Sequence, residues 1–236
     1  MASGTLIADT QRDLALYSEI GFHIEPSVMS EDFCDRLICA ASTFPAVLKG
    51  DFRTALQPHV REPIFLEALR HPAVTRIMRL FLGSAISGIQ SQFFYGKPGT
   101  PGFQPHQDNR YVNAPRGAFA SAWIALTDVG PRNGGLYIYP GTHREPLLEV
   151  EEVEAEETML QDVNALRLRC VVPEQYVSRD VEIPKGGGIF FDGHTIHGSY
   201  ENKSQTDRYA LLLTYIRQGA PFIAGRYAKR EEIPIN

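Results

Sequence analysis

GIFFDGHTIHGS, residues 188–199, starts as a strand and ends in two histidines. A short apolar and aromatic run bounded by glycine fits a buried strand, and the histidines follow where the chain leaves it. Upstream, His106-Gln107-Asp108 places an imidazole and a carboxylate two residues apart. On an extended chain such residues point to one side. Closed by a distant histidine, they form the two-histidine, one-carboxylate face that holds non-haem Fe(II) and leaves positions open. His194 and His197 both satisfy the spacing. Ser199 lies two residues beyond His197 and shares its face if the chain is extended, and Arg208 opens the next strand-like run, so His197 is the expected ligand.

Outward from this stretch the texture stays β-rich. Residues 86–95, 119–127, 136–139, 181–183, 188–192 and 208–216 read as strands, and many short strands with turn signals imply a sandwich or barrel. The first third reads as helical. Asp9 or Thr10 caps a helix carrying Leu14, Leu16, Tyr17 and Ile20, Gly21 ends it, and residues 22–24 form a short strand. Ser30 caps a second helix through Phe33, Leu37, Ile38 and Ala41. Pro63 opens a third, running through Leu66, Leu69, Val74, Ile77, Leu80 and Phe81 to a stop at Gly83. The expectation is one domain, 1–236: a mostly helical buttress over 1–85 and a β core over 86–220. An acidic excursion at about 145–179, containing Glu149, Glu151, Glu152, Glu154, Glu156 and Glu157, reads equally as a lid or as a solvated surface loop.

Composition sets the limits. With 43% apolar and 22% charged residues, 236 residues can bury one sizeable core. The net charge of −5, from 23 basic and 28 acidic residues, comes without a basic tract and argues against nucleic acid. Cys34, Cys39 and Cys170 are odd in number and show no zinc-knuckle spacing, which reads as buried free thiols in a reducing compartment. The N-terminus shows no basic-then-apolar leader and no apolar run reaches spanning length, so a cytoplasmic protein without a membrane segment is expected. Oligomeric state is not legible.

Arg208 sharpens the chemistry. An arginine on the inner face of a barrel is costly unless paired, and a dicarboxylate at the metal would supply the partner; a surface salt bridge to Asp207 or Glu201 is the alternative. Asn109, Arg110, Tyr111 and Asn113 follow the metal motif and are candidates for a substrate mouth. Arg110 falls on the ligand face if the strand continues, or else is a surface arginine beside the acidic segment. Arg217, Arg226, Lys229 and Arg230 form a loose basic cluster that alternates with Glu231 and Glu232 and reads as a solvated tail.

The motifs His106-Gln107-Asp108, Asn133-Gly134-Gly135-Leu136 running into Pro140-Gly141-Thr142-His143, and His197-Gly198-Ser199 followed by Asn202, Ser204 and Arg208 resemble the phytanoyl-CoA dioxygenase family. The resemblance implies a mainly β fold with flanking helices around a double-stranded β-helix (a jelly-roll, cupin-like core). It implies Fe(II), O2 and 2-oxoglutarate as cosubstrate. By the same resemblance His106, Asp108 and His197 bind iron, and Arg208 and Ser199 receive the distal carboxylate of 2-oxoglutarate. Trp123 packs against the cosubstrate, unless it is an ordinary core aromatic. Gln90 and Gln92, on one strand face, are placed to hydrogen-bond the keto-acid carboxylate. The implied reaction hydroxylates a C–H bond of a small metabolite, in natural-product tailoring or in lipid or amino-acid oxidation, and yields succinate and CO2. Retention of Asp108 favours hydroxylation over halogenation. Two rivals stay open: a keto-acid-independent, cupin-like enzyme using the same ligands, and a non-catalytic protein with a closed structural metal site that recruits His194.

Overall fold

Gly21, at φ +86°, lets helix α1 (Thr10–Ile20) turn directly into strand β1 (Phe22–Glu25). A Cβ there would also fall 2.5 Å from His143 Nδ1, so glycine is required by conformation and by space. The computed structural model describes residues 10–83, 85–153, 168–225 and 229–235; Asp9 lies outside them. Helix α2 (Glu31–Ser42) begins where Ser30 Oγ accepts the Phe33 N–H at 3.2 Å and buries Cys34, Leu37 and Ala41. A short helix α3 (Pro45–Leu48) and a two-residue strand β2 (Ala55–Leu56) follow, neither of which the sequence pattern announced.

The long helix expected from Pro63 to Gly83 is two helices, α4 (Pro63–Leu69) and α5 (Pro72–Leu82). Pro72 removes an N–H and disfavours helical backbone at the residue before it; His71 accordingly sits at ψ 127° and the helix restarts. Both helices keep the expected apolar stripe, with Phe65, Leu69, Ile77 and Met78 fully buried.

The β core consists of β3 (Ile86–Gly96), β4 (Phe119–Ala125), β5 (Leu136–Ile138), β6 (Val150–Glu152), β7 (Leu168–Cys170), β8 (Arg179–Asp180), β9 (Gly188–Asp192), β10 (His197–Ser199), β11 (Arg208–Arg217) and β12 (Ile233–Pro234). A seven-stranded sheet runs β1-β9-β4-β11-β3-β12 with β2 on β3, a smaller sheet runs β10-β5-β8, and β6 pairs β7. Period-two alternation sorts the large sheet's side chains. Leu211, Leu213 and Tyr215 join Ala120, Ala122, Ile124 and Phe93 beneath the helices. Their neighbours turn the other way, where Trp123, Ile189, Phe191 and Ala210 pack with Leu136 and Ile138 of the small sheet. Two antiparallel sheets face to face, with helices outside the larger one, make the double-stranded β-helix.

Two further expectations shift. Residues 181–183 are not a strand; the chain pairs earlier, at β8, and Ile183 makes only a lone bridge to Val129 before Pro184 ends any ladder. The arms of the acidic excursion pair as β6 and β7, and its centre, with Glu154, Glu156 and Glu157, lies outside the described residues. Cys34 and Cys170 are buried free thiols, whereas Cys39 is exposed. Among the described residues no helix is long and apolar enough to cross a membrane.

Candidate metal centre

His106 and His197 come together through their backbones. The His106 N–H donates to the His197 carbonyl at 2.9 Å and the His197 N–H returns the bond at 3.1 Å, an isolated antiparallel bridge. Asp108 does not continue that strand. It sits at φ −57°, ψ −33° as the chain turns into helix α6 (Asn109–Val112), so its carboxylate arrives by a helical turn and not by strand alternation. Its Oδ1 lies 3.5 Å from His106 Nε2 and 3.7 Å from His197 Nε2. The three donor atoms all fall within 4.8 Å of one another.

Neighbouring groups set the orientation and charge of each ligand. His106 Nδ1 lies 2.7 Å from the Gln104 carbonyl and His197 Nδ1 3.0 Å from that of Thr195. A carbonyl only accepts, so both Nδ1 atoms carry hydrogen and Nε2 is the atom each ring turns toward Asp108. Ser121 Oγ, on β4, donates to Asp108 Oδ2 at 2.7 Å. Burial pushes the Asp108 carboxyl upward, but His197, His106 and the Ser121 hydroxyl more than offset it and hold it well below the usual range. Burial, aided by the charge of His106, lowers His197 to about 4. Burial also opposes a charge on His106, and there the hydrogen bond and charge of Asp108 win and raise it. An ionised carboxylate and a neutral imidazole are the states a metal requires.

His194 turns elsewhere: its Nδ1 lies 3.6 Å from Asp192 Oδ1 and its Nε2 3.4 Å from Asn109 Nδ2. His197→Ala is therefore expected to lose stoichiometric iron while His194→Ala keeps it, checked by metal analysis of the purified variants; the reverse result would exchange the two roles.

Arg208, at the start of β11, is 5% exposed, and among the described residues its Nε has no hydrogen-bond partner. Both surface alternatives are taken by lysines: Lys97 pairs with Asp207 at 2.6 Å and Lys203 with Glu201 at 3.8 Å. The guanidinium is cradled by glycine backbone, since a Cβ at Gly96 would lie 2.9 Å from its Cζ and one at Gly134 3.2 Å from its Nη2. Its Cζ is 5.9 Å from the Trp123 ring centre. Burial lowers its pKa to about 10, which leaves it charged. Ser199 Oγ accepts the Phe103 N–H at 2.9 Å, so its hydroxyl hydrogen can be donated. Arg208, Ser199, Trp123 and the three metal-type ligands line one cavity between the sheets. Two imidazoles and a carboxylate suit Fe(II), and a buried guanidinium with an unsatisfied N–H suits an anion, so these residues fit the metal and a keto-diacid.

A family model described as "Phytanoyl-CoA dioxygenase (PhyH)" matches residues 44–210. The chain belongs to the phytanoyl-CoA dioxygenase family. It is 28% identical over 151 residues to a "Phytanoyl-CoA dioxygenase" of Arabidopsis thaliana, covering 62% of this chain and 50% of that one. It is 29% identical over 178 residues to an "Ectoine dioxygenase" of Bordetella bronchiseptica, covering 69% and 56%. The chain thus spans about half the length of the curated relatives it matches. The epimerase SnoN, solved with Fe3+, alpha ketoglutarate and nogalamycin RO, superposes with a TM-score of 0.76 at 17% identity, covering 97% of this chain and 96% of SnoN.

In this phytanoyl-CoA dioxygenase family member, Gln90, Gln92 and Tyr111 also line the cavity. Asn109 and Arg110 do not. The helical turn after Asp108 sends them away: Asn109 Nδ2 bonds the Ala114 carbonyl at 2.9 Å, and Arg110 Nη2 donates to the Leu148 carbonyl at the base of the excursion. Two cavity-related residues were missed in the sequence. Ser121 supports Asp108 from an apolar strand and carries no motif. Arg230, read as part of a solvated tail, is 8% exposed and lines the cavity.

Proposed function

We propose that the protein is an Fe(II)- and 2-oxoglutarate-dependent oxygenase that oxidises a C–H bond of a small metabolite. The observation carrying this reading is that Arg208, a buried guanidinium with an unsatisfied N–H, shares one cavity with a three-donor cluster that leaves sides open. A metalloenzyme without a keto acid has no use for such an arginine. A closed structural site would need a fourth ligand, and among the described residues His194 is outside the cluster.

His106, Asp108 and His197 would hold the iron, and Arg208 with Ser199 the distal carboxylate of 2-oxoglutarate. When bound, iron and 2-oxoglutarate together couple the reduction of O2 and the loss of CO2 from the keto acid to oxidation of a substrate C–H bond, leaving succinate. The chain's own work is positioning. The Gln104 and Thr195 carbonyls fix the two ring tautomers, and Ser121 fixes the carboxylate. Phe191 packs on His197 with ring centres 4.4 Å apart, and Leu212 and Trp123 close the wall and keep water from the reacting centre. Natural-product tailoring is the favoured setting, in keeping with the SnoN likeness. An exposed free Cys39 suits a reducing, cytoplasmic location.

Anaerobic titration of Fe(II)-loaded protein with 2-oxoglutarate tests the reading. A saturable visible metal-to-ligand charge-transfer band is expected; no band with iron demonstrably bound would turn the assignment toward a keto-acid-independent metalloenzyme.

A further inference from the structure

Gln90 and Thr214 pair across β3 and β11, and Thr214 pairs Ser121 on β4, so these three side chains form a row level with Asp108. Arg208 opens β11, and its guanidinium reaches along the cavity to 5.9 Å from the Trp123 ring centre. In the oxygenase reading 2-oxoglutarate extends from there to the three metal ligands, so both of its ends are assigned and the Gln90 donor is left to another ligand.

That end is built. Arg230 reaches in from the C-terminal segment, where its Nε donates to Gln90 Oε1 at 2.7 Å and its Nη1 to the Tyr111 and Ile223 carbonyls at 3.0 and 3.4 Å. Arginine has no acceptor, so Gln90 must turn its oxygen to Arg230 and its NH2 the other way. Gln90 is 2% exposed and lines the cavity, and among the described residues its Nε2 has no hydrogen-bond partner. A buried donor without an acceptor is costly, and a ligand oxygen removes the cost. The adjoining guanidinium polarises the amide and favours an anionic oxygen over a neutral one. Val112 and Phe119 make the surrounding wall apolar.

We infer that Gln90, held by Arg230, is the recognition point for a carboxylate on the primary substrate, whose remaining body is apolar. Gln90 is the binding residue and Arg230 a positioning residue acting through it. The inference rests on the oxygenase reading above and reassigns Gln90 from the keto acid to the substrate.

The test uses anaerobic, Fe(II)- and 2-oxoglutarate-loaded protein. Trp123, the sole tryptophan, lies in the cavity wall and reports binding by its fluorescence. Octanoate is expected to bind about tenfold or more tighter than octan-1-ol, the worth of one charge-assisted hydrogen bond. Gln90→Met and Arg230→Met should each erase that preference while leaving octan-1-ol affinity and the 2-oxoglutarate titration midpoint within about twofold. Equal binding of the two probes by unaltered protein, or loss of both probes together in the variants, would overturn the inference. So would a weakened 2-oxoglutarate midpoint in Gln90→Met, which would return Gln90 to the keto acid. Absence of the charge-transfer band in unaltered protein would count against the oxygenase reading alone, because the fluorescence still reads the octanoate preference and its dependence on Gln90 and Arg230.

Discussion

Asp108→Ala is expected to abolish iron-dependent succinate formation while leaving the fold in place. Removing a group that merely orients a ligand typically costs about 10- to 100-fold in metal affinity or activity, so removing the only anionic ligand should cost at least about a thousandfold. The expectation for the fold comes from what the side chain touches. Its polar partners are Ser121 Oγ and the two histidine Nε2 atoms, and alanine keeps the Cβ. Leaving the Ser121 hydroxyl without its acceptor costs about 1–3 kcal/mol at most. Circular dichroism should therefore match the unaltered protein, iron analysis should fall to background, and succinate should not form. A variant that retains stoichiometric iron and turnover would remove Asp108 from the ligand set.

Arg208→Met should separate cosubstrate binding from metal binding. Iron content is expected to be unchanged, because the arginine touches none of the three ligands. The 2-oxoglutarate midpoint should rise by about 30-fold to several thousandfold, the range for deleting one partner of a buried, hydrogen-bonded charge pair. Arg208→Lys should recover little of it, since an ammonium cannot reproduce the planar fork and the glycine cradle is shaped for one. Stability should move the other way. Without keto acid, Arg208 is a buried cation with an unsatisfied N–H, and a methionine of similar length removes that burden. Thermal melting of the 2-oxoglutarate-free variant should be equal to or above that of the unaltered protein. An unchanged 2-oxoglutarate midpoint would end the assignment of Arg208.

What was legible in the sequence followed from local rules. β-rich apolar runs broken by glycine and proline located β3, β4, β9 and β11 to within a residue or two, and a serine cap and an early glycine placed the first two helices. Pro72 split a continuous apolar stripe, because periodicity measures which side is buried and not whether the backbone hydrogen bonds persist. At the metal cluster, residue types were readable and local geometry was not. His106 and Asp108 converge because the chain leaves the strand between them, and the same turn removes Arg110 from the ligand face where continued alternation would have put it. Ser121 and Arg230 escaped for a different reason: nothing near them in the chain distinguishes them. The pairing of β4 with β11 gives Ser121 its level, and the return of the C-terminal segment buries Arg230.

The mutual backbone bridge between His106 and His197 bears on how the site would come apart. The two backbones cannot separate without breaking both hydrogen bonds, so opening of this strand pair frees both histidines in one event. The amide hydrogens of these two residues, far apart in the chain, would exchange with solvent deuterium at a common rate, and bound iron would slow them by a common factor.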